Sequence, residues 1–228
     1  NVKILVDSSD EGAEFEVHLL HGQKTGFFLD QSYNIQLLGQ IAKRYFSHQK
    51  SRTLHILDLC CYVGQWSSQL SRILKNTGHQ INVTAVDASE TALEFANKNI
   101  RNQYSHQVTL IKGDVLKDLH LPEESFDIVI SDPPAFIKNR KDLAAGKQGY
   151  VKLNSRAFRL AKVQGLIASC SCSGLLSEED FLQALAAAQL KADVSTTTLA
   201  RGGHGFDHPV KMTFPEGNYL KMAINLRT

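Results

Sequence analysis

The chain has 228 residues, room for one sizeable domain with an appendage at about 150 residues per domain, and enough to bury a core without disulfides or metals. Hydrophobic residues make up 43% and charged residues 21%, which excludes wholesale disorder and collagen-like repeats. With 25 Lys and Arg against 23 Asp and Glu the formal net charge is +2, so a surface for a polyanion must be a local patch.

The opening residues 2–6 read as a strand, 7–12 as a turn, and 14–19 as a second strand with polar–apolar alternation. Residues 22–30 (GQKTGFFLD) form a connection, and 31–46 carry Ile35, Leu38, Ile41, Ala42 and Phe46 at helical spacing. A strand–helix rhythm follows. Strands are expected at 54–59, 81–86, 108–111, 126–130 and 165–170, with helices from the loop at 60–64 to about 74, over 92–100, from about 150 to 161, and over 181–190. Residues 192–199 and 219–226 read as a final antiparallel pair around a glycine-rich loop. Such alternation predicts an α/β, Rossmann-like, seven-stranded, mostly parallel sheet with an antiparallel last strand. The expected division is a hairpin and connection over 1–30 and one α/β domain over 31–228.

The four cysteines stand as Cys60-Cys61 and Cys170-Ser171-Cys172. That is a poor disulfide framework without the C-x-x-C spacing of a zinc site, so a reducing, cytoplasmic setting is expected. His204 and His208 lack a third ligand at sensible spacing, so no metal is expected. No apolar run approaches the ~18 residues of a membrane span, and the N-terminus lacks a signal-peptide pattern. The first residue is Asn rather than Met, so the chain reads as a fragment or trimmed piece.

Four expected strand ends carry an acid: Asp58, Asp87, Asp114 and Asp132. Ligands of doubly wound sheets bind at those ends. One such Asp reads as a turn or cap residue; four in series point to a site. Asp87 follows Gly64 by 87 − 64 = 23 residues, close to the roughly 20-residue offset of a ribose-binding acid. A dinucleotide enzyme would want G-x-G-x-x-G at the first turn, and CCYVGQW has one glycine. S-adenosylmethionine, with a ribose and no pyrophosphate, fits better.

DLCCYVGQWS, AVDASETALEFANKNI, FDIVISDPPAF, QGYVKLN, SCSCSG and DHPV…PEGNYLK, with the leading GQKTGFFLDQ, resemble in order the catalytic domain of class I S-adenosylmethionine-dependent large-subunit ribosomal RNA cytosine-5 methyltransferases. The RNA-binding PUA module that usually precedes the hairpin there is absent from these residues. Two arginines usual after DQ are replaced, and Cys60, Val63, Gln65 and Trp66 depart from the usual first loop.

The resemblance implies that Asp58, Tyr62 and Gly64 line the methionine end of the cofactor. It gives the ribose hydroxyls to Asp87 beside Ala88 and the adenine amine to Asp114. Thr25, Phe28 and Asp30 close the site from the N-terminal side, either by direct contact or as a tether of core phenylalanines. Carbon 5 of cytosine accepts a methyl group only after a thiolate adds to carbon 6. The family pattern gives that role to Cys172, with Cys170 a small buried hydrophobe. Asp132 would bond the base edge and also border the cofactor. Pro133, Pro134 and Phe136 would hold a stiff loop against a planar base. Lys138 and Arg140, with Lys141 and Lys147, stand either for phosphate positioning or for a solvated surface. Lys43, Arg44, Lys50 and Arg52 form a second basic group near the first sheet strand. The implied partner is RNA, in particular ribosomal RNA. Two alternatives stay open: a guanine or adenine N-methyltransferase in which Cys172 is incidental, and a non-catalytic RNA-binding or assembly protein that keeps the fold.

Overall fold

The computed structural model describes residues 2–6, 13–17, 26–103 and 107–228. Strands β1 (Val2–Val6) and β2 (Ala13–Val17) pair antiparallel as a separate two-stranded sheet, Val2 opposite Val17. The expected turn at 7–12, residues 18–19 of the second strand and Thr25 lie outside the described residues.

The main sheet contains β3 (Thr53–Leu59), β4 (Gln80–Asp87), β5 (Gln107–Lys112), β6 (Phe126–Ser131), β7 (Ala161–Ser171), β8 (Thr196–Gly202) and β9 (Lys221–Arg227). Their spatial order is β5-β4-β3-β6-β7-β9-β8. Strands β3 to β7 are parallel, and β9 runs antiparallel between β7 and β8. The chain winds outward from β3 to β5, then returns to lay β6 on the other side of β3. That reversal is the switch point at which such sheets bind ligands.

Strand β6 is buried at all six positions, as expected for a parallel strand covered on both faces. One face holds Ile56, Ile128 and Ile130 beneath helices α1 (Ser32–Phe46), α2 (Gln65–Leu74) and α3 (Glu90–Arg101). The other holds Leu57, Leu59 and Val129 beneath α4 (Leu143–Leu160) and α5 (Glu178–Ala192). Each such side chain contributes roughly 1.5–3 kcal/mol on burial. The β1–β2 sheet joins this body through Phe15, Val17 and Phe27, packed on Val63 and Phe95.

Three boundaries differ from expectation by four residues or more. Helix α4 begins at Leu143 rather than near 150. Gly146 and Gly149 weaken the helical signal there, but a side chain at Gly146 would overlap Ile137, so close approach to the loop after β6 requires glycine. Strand β7 begins at Ala161 rather than 165, because an irregularity separates its pairing with Phe126 from that with Ile128. Gln164 is left-handed there (φ 64°). Strand β8 begins at Thr196 rather than 192, since Ala192 completes α5 and Asp193 forms its left-handed cap.

At the N-terminal ends of the strands, buried Asp127 accepts from Arg52 Nη1 (2.6 Å), Lys162 Nζ (2.9 Å) and the His55 N–H (2.8 Å). Arg52 of the expected basic group thus forms an ion pair at the opposite end of the sheet from the acidic strand ends. No described helix is long and apolar enough to cross a membrane.

Candidate active site

The C-terminal ends of β3 to β7 open on a cavity of about 890 Å³. Its floor is the loop after β3, where Cys60 (φ 66°), Tyr62 (φ 49°) and Gly64 (φ 78°) are all left-handed. The two non-glycine residues cost on the order of 1–3 kcal/mol each, strain of a kind that clusters at functional sites. The loop is held by neighbouring strand ends: Cys61 N–H donates to Val86 O (2.9 Å) and Tyr62 N–H to Asp87 Oδ2 (2.9 Å). Asp87 Oδ1 accepts from Ser89 N–H (2.9 Å), which sets the carboxylate at the turn into α3.

Asp87 and Ala88 line one wall and Asp114 the adjoining one. Asp114 Oδ1 accepts from Leu116 N–H (2.9 Å). Phe28 and Asp30 close the side nearest the N-terminal segment, and Phe28 meets Tyr62 edge to face at 5.3 Å. Asp30 is buried and accepts from Tyr219 Oη (2.6 Å).

Asp58 and Gly64 do not border the cavity. The space that Gly64 leaves is filled by α3: a Cβ there would lie 2.8 Å from Ile100 Cγ1 and 3.1 Å from Ala96 Cα. Asp58 is fully buried behind the floor, its Oδ2 taking bonds from Ser67 N–H (3.3 Å) and Ser67 Oγ (2.6 Å). Its Oδ1 has no hydrogen-bond partner among the described residues. Burial pushes this carboxyl up to about 7; the Ser67 bonds oppose the shift, and the charges of Asp132 and Asp87 add to it.

Because the folded value lies above the unfolded one, Asp58 lowers stability as pH rises from about 4 to 7. Asp58→Asn removes that dependence. Its stability relative to the wild type should rise from pH 5 to 7.5 and then level off, a gain of about 2–3 kcal/mol across that range. Thermal melts across that range check the sign; a difference that grows towards low pH contradicts it.

The third wall is the loop Asp132-Pro133-Pro134-Ala135-Phe136, facing Cys172 just past the end of β7. Cys172 Sγ lies 3.9 Å from Pro133 O. Cys170 is fully buried in the core beneath α1 and α2, where burial pushes its thiol well up. Cys60 and Cys61 pack in the core and also line the cavity; desolvation, followed by nearby carboxylates, pushes both thiols up. Lys138 and Arg140 are exposed beyond the loop and do not line the cavity, while Lys147 pairs with Asp180 (2.7 Å).

Several residues that hold this wall escaped the sequence reading. Tyr150 Oη bonds Ser173 Oγ (2.8 Å) and accepts from Ser171 Oγ (2.9 Å), and Ser173 Oγ accepts from Ile137 N–H (3.2 Å). These bonds tie the segment around Cys172 to α4 and to the loop after β6. Buried Lys221 donates to Ser173 O (2.9 Å) and Leu176 O (2.6 Å). Asp132 receives Gln31 Nε2 at both oxygens (2.9 Å each) and Trp66 Nε1 at Oδ2 (2.9 Å). All four lie within segments that carry the family resemblance, and Trp66 stands there as a departure from the usual first loop, but no sequence pattern tied Gln31 or Trp66 to Asp132. His204 meets Tyr219 edge to face (4.6 Å), and no group of three or more His, Cys, Asp or Glu among the described residues is placed to hold a metal.

Residues 50–211 match a family model described as a methyltransferase domain. The chain belongs to the methyltransferase domain family. S-adenosylmethionine is accordingly its cofactor, and the lining fits: acids at three strand ends beside an adjoining apolar floor. Curated relatives include "Ribosomal RNA large subunit methyltransferase I" of Tolumonas auensis, 32% identical over 95% of this chain and 52% of the relative. The protein of that name from Pseudoalteromonas translucida is 33% identical over the same shares. The chain thus spans about half the length of the curated relatives it matches. Among solved structures, a putative SAM-dependent methyltransferase from Streptococcus mutans shares the fold, with a TM-score of 0.67 at 18% identity over 98% of this chain and 55% of that one.

Proposed function

We propose that this domain methylates carbon 5 of a cytosine in large-subunit ribosomal RNA through a transient covalent bond to Cys172. The observation that carries the reading is the pairing of Cys172 with the Asp132 loop across one cavity. The relatives named for large-subunit ribosomal RNA methylation supply the substrate class.

When bound, S-adenosylmethionine supplies an electrophilic methyl group. Asp87 accepts from the ribose hydroxyls beside Ala88, Asp114 from the adenine amine, and Asp58 balances the methionine end from behind the floor, with Tyr62 and the turn at Gly64 shaping it. Phe28 and Asp30 close the near side, as does Thr25 by resemblance. The planar base lies against Pro133, Pro134 and Phe136. Two prolines stiffen this loop and remove two N–H donors. Asp132 accepts from the amine edge of the base. The Cys172 thiol gives its proton to water in the open cavity, and its sulfur bonds to carbon 6 as the carbon 5–carbon 6 double bond opens and its electron pair moves to carbon 5. Lys138 and Arg140, exposed beyond the loop, contact phosphates of the same strand.

Ribosomal RNA incubated with the 228-residue chain and S-adenosylmethionine should gain 5-methylcytidine, read by mass spectrometry of its nucleosides. Appearance of a methylated guanine or adenine instead replaces cytosine-5 chemistry with amine chemistry. Calorimetry of the cofactor alone gives a second check. Neither heat nor a rise in melting temperature would leave RNA binding without catalysis as the better account.

A further inference from the structure

We infer that Trp66 and Gln31 are positioning residues for the methyl transfer: together they hold the Asp132 carboxylate in one orientation, so that the base meets a preset acceptor. This rests on the reaction proposed above for the same cavity.

Two separate elements converge on that carboxylate. Asp132 follows β6, Gln31 ends the 3-10 turn Leu29–Gln31 ahead of α1, and Trp66 lies in the first turn of α2. Gln31 Nε2 lies 2.9 Å from each carboxylate oxygen, one nitrogen shared between the two. Trp66 Nε1 donates to Oδ2 from a second direction, also at 2.9 Å. The Gln31 amide is itself oriented, because its Oε1 accepts from Asn34 Nδ2 at 2.7 Å. With that oxygen engaged, the amide nitrogen is the end that faces Asp132. Asn34 is fully buried, and Gln31 and Trp66 are each 3% exposed, so bulk water does not compete for these bonds.

The first turn of α2 also holds the segment that carries Gln31. Gln65 Nε2 donates to Phe28 O (2.9 Å), and Gln65 Oε1 accepts from Phe28 N–H (3.2 Å). Adjacent side chains of one helix therefore set both the Phe28 wall and the carboxylate opposite Cys172. A buried indole N–H requires an acceptor; here the acceptor is a group assigned to the base rather than a backbone carbonyl. Small misplacements of a positioned group are expensive in rate, which is what a brace of this kind prevents.

Packing alone would also account for a buried tryptophan, since Trp66 belongs to the core beneath α1 and α2. Trp66→Phe and Gln31→Met separate the two roles, because each keeps most of the side-chain volume and removes the donor. Each should lower kcat for 5-methylcytidine formation at least tenfold, with cofactor Kd within twofold of wild type. In an Asp132→Ala background, Trp66→Phe should cost less than twofold, because there is no acceptor left to hold.

Trp66 is the one tryptophan of the chain, so its indole gives a single 1H–15N cross-peak. Asp132→Asn should shift that peak in the protein without ligand. An indole peak that Asp132→Asn leaves in place overturns the brace, even if the wild type forms no 5-methylcytidine and the proposed reaction fails. Where the wild type is active, kcat within twofold in both single variants overturns the positioning role.

Discussion

Cys172→Ala should abolish methyl transfer, lowering turnover by roughly a thousandfold or more, as expected for loss of a covalent nucleophile. Cofactor affinity should stay within about twofold, because the expected ribose and adenine acids lie on other strands. RNA carrying 5-fluorocytosine at the target separates this mechanism from amine methylation. In the normal reaction the carbon-5 proton leaves to a base and the sulfur is expelled from carbon 6. Fluorine cannot leave as a cation, so the sulfur–carbon bond persists and a protein–RNA adduct accumulates on a denaturing gel. Cys172→Ala should form no adduct. Cys170→Ala should form it at the wild-type rate, with a stability loss of about 1 kcal/mol from the small cavity left beneath α1 and α2. Normal turnover in Cys172→Ala would make the thiol structural and favour the guanine or adenine reading.

Asp87→Ala should weaken S-adenosylmethionine binding by about 1.5–3 kcal/mol, the range for hydrogen bonds to a charged group. Two losses combine there. On the proposed assignment the ribose hydroxyls would lose their acceptor, and the backbone N–H groups of Tyr62 and Ser89 lose theirs, so the left-handed floor loop is released as well. Asp87→Asn retains a carbonyl oxygen for one of those donors and should sit between alanine and wild type. Calorimetric titration of the three proteins checks the order. Affinity unchanged in Asp87→Ala would move the ribose away from the end of β4.

Much of the architecture was legible because its causes are local. The apolar run at 126–130, the period-two and period-3.6 patterns, and the turn residues between them reflect constraints that neighbours in sequence impose on each other. The acids at 58, 87, 114 and 132 were legible as a set for the same reason: strand ends recur at intervals that the strand–helix rhythm makes countable. The segments that resemble cytosine-5 methyltransferases singled out Cys172 over Cys170, although both fit one strand face.

Depth was not legible. Asp58 and Asp132 look alike as strand-end carboxylates, yet one is sealed behind the floor with its carboxyl pushed up to about 7 and the other lines the cavity. Gly64 reads as room for a ligand, whereas α3 occupies that room. Arg52 reads as part of a surface cluster, whereas it pairs with buried Asp127 seventy-five residues away.

The sequence by itself determined the strands, the helices and the acidic strand ends, because hydrophobic period and turn chemistry act over a few residues. Tertiary structure alone decided that β9 lies between β7 and β8, and that Gln31, Trp66 and Asp132 meet although 101 and 66 residues separate Asp132 from its two donors. Those contacts are made by sheet order and by the packing of α1 and α2 on one face, and neither leaves a periodic trace in the residues concerned.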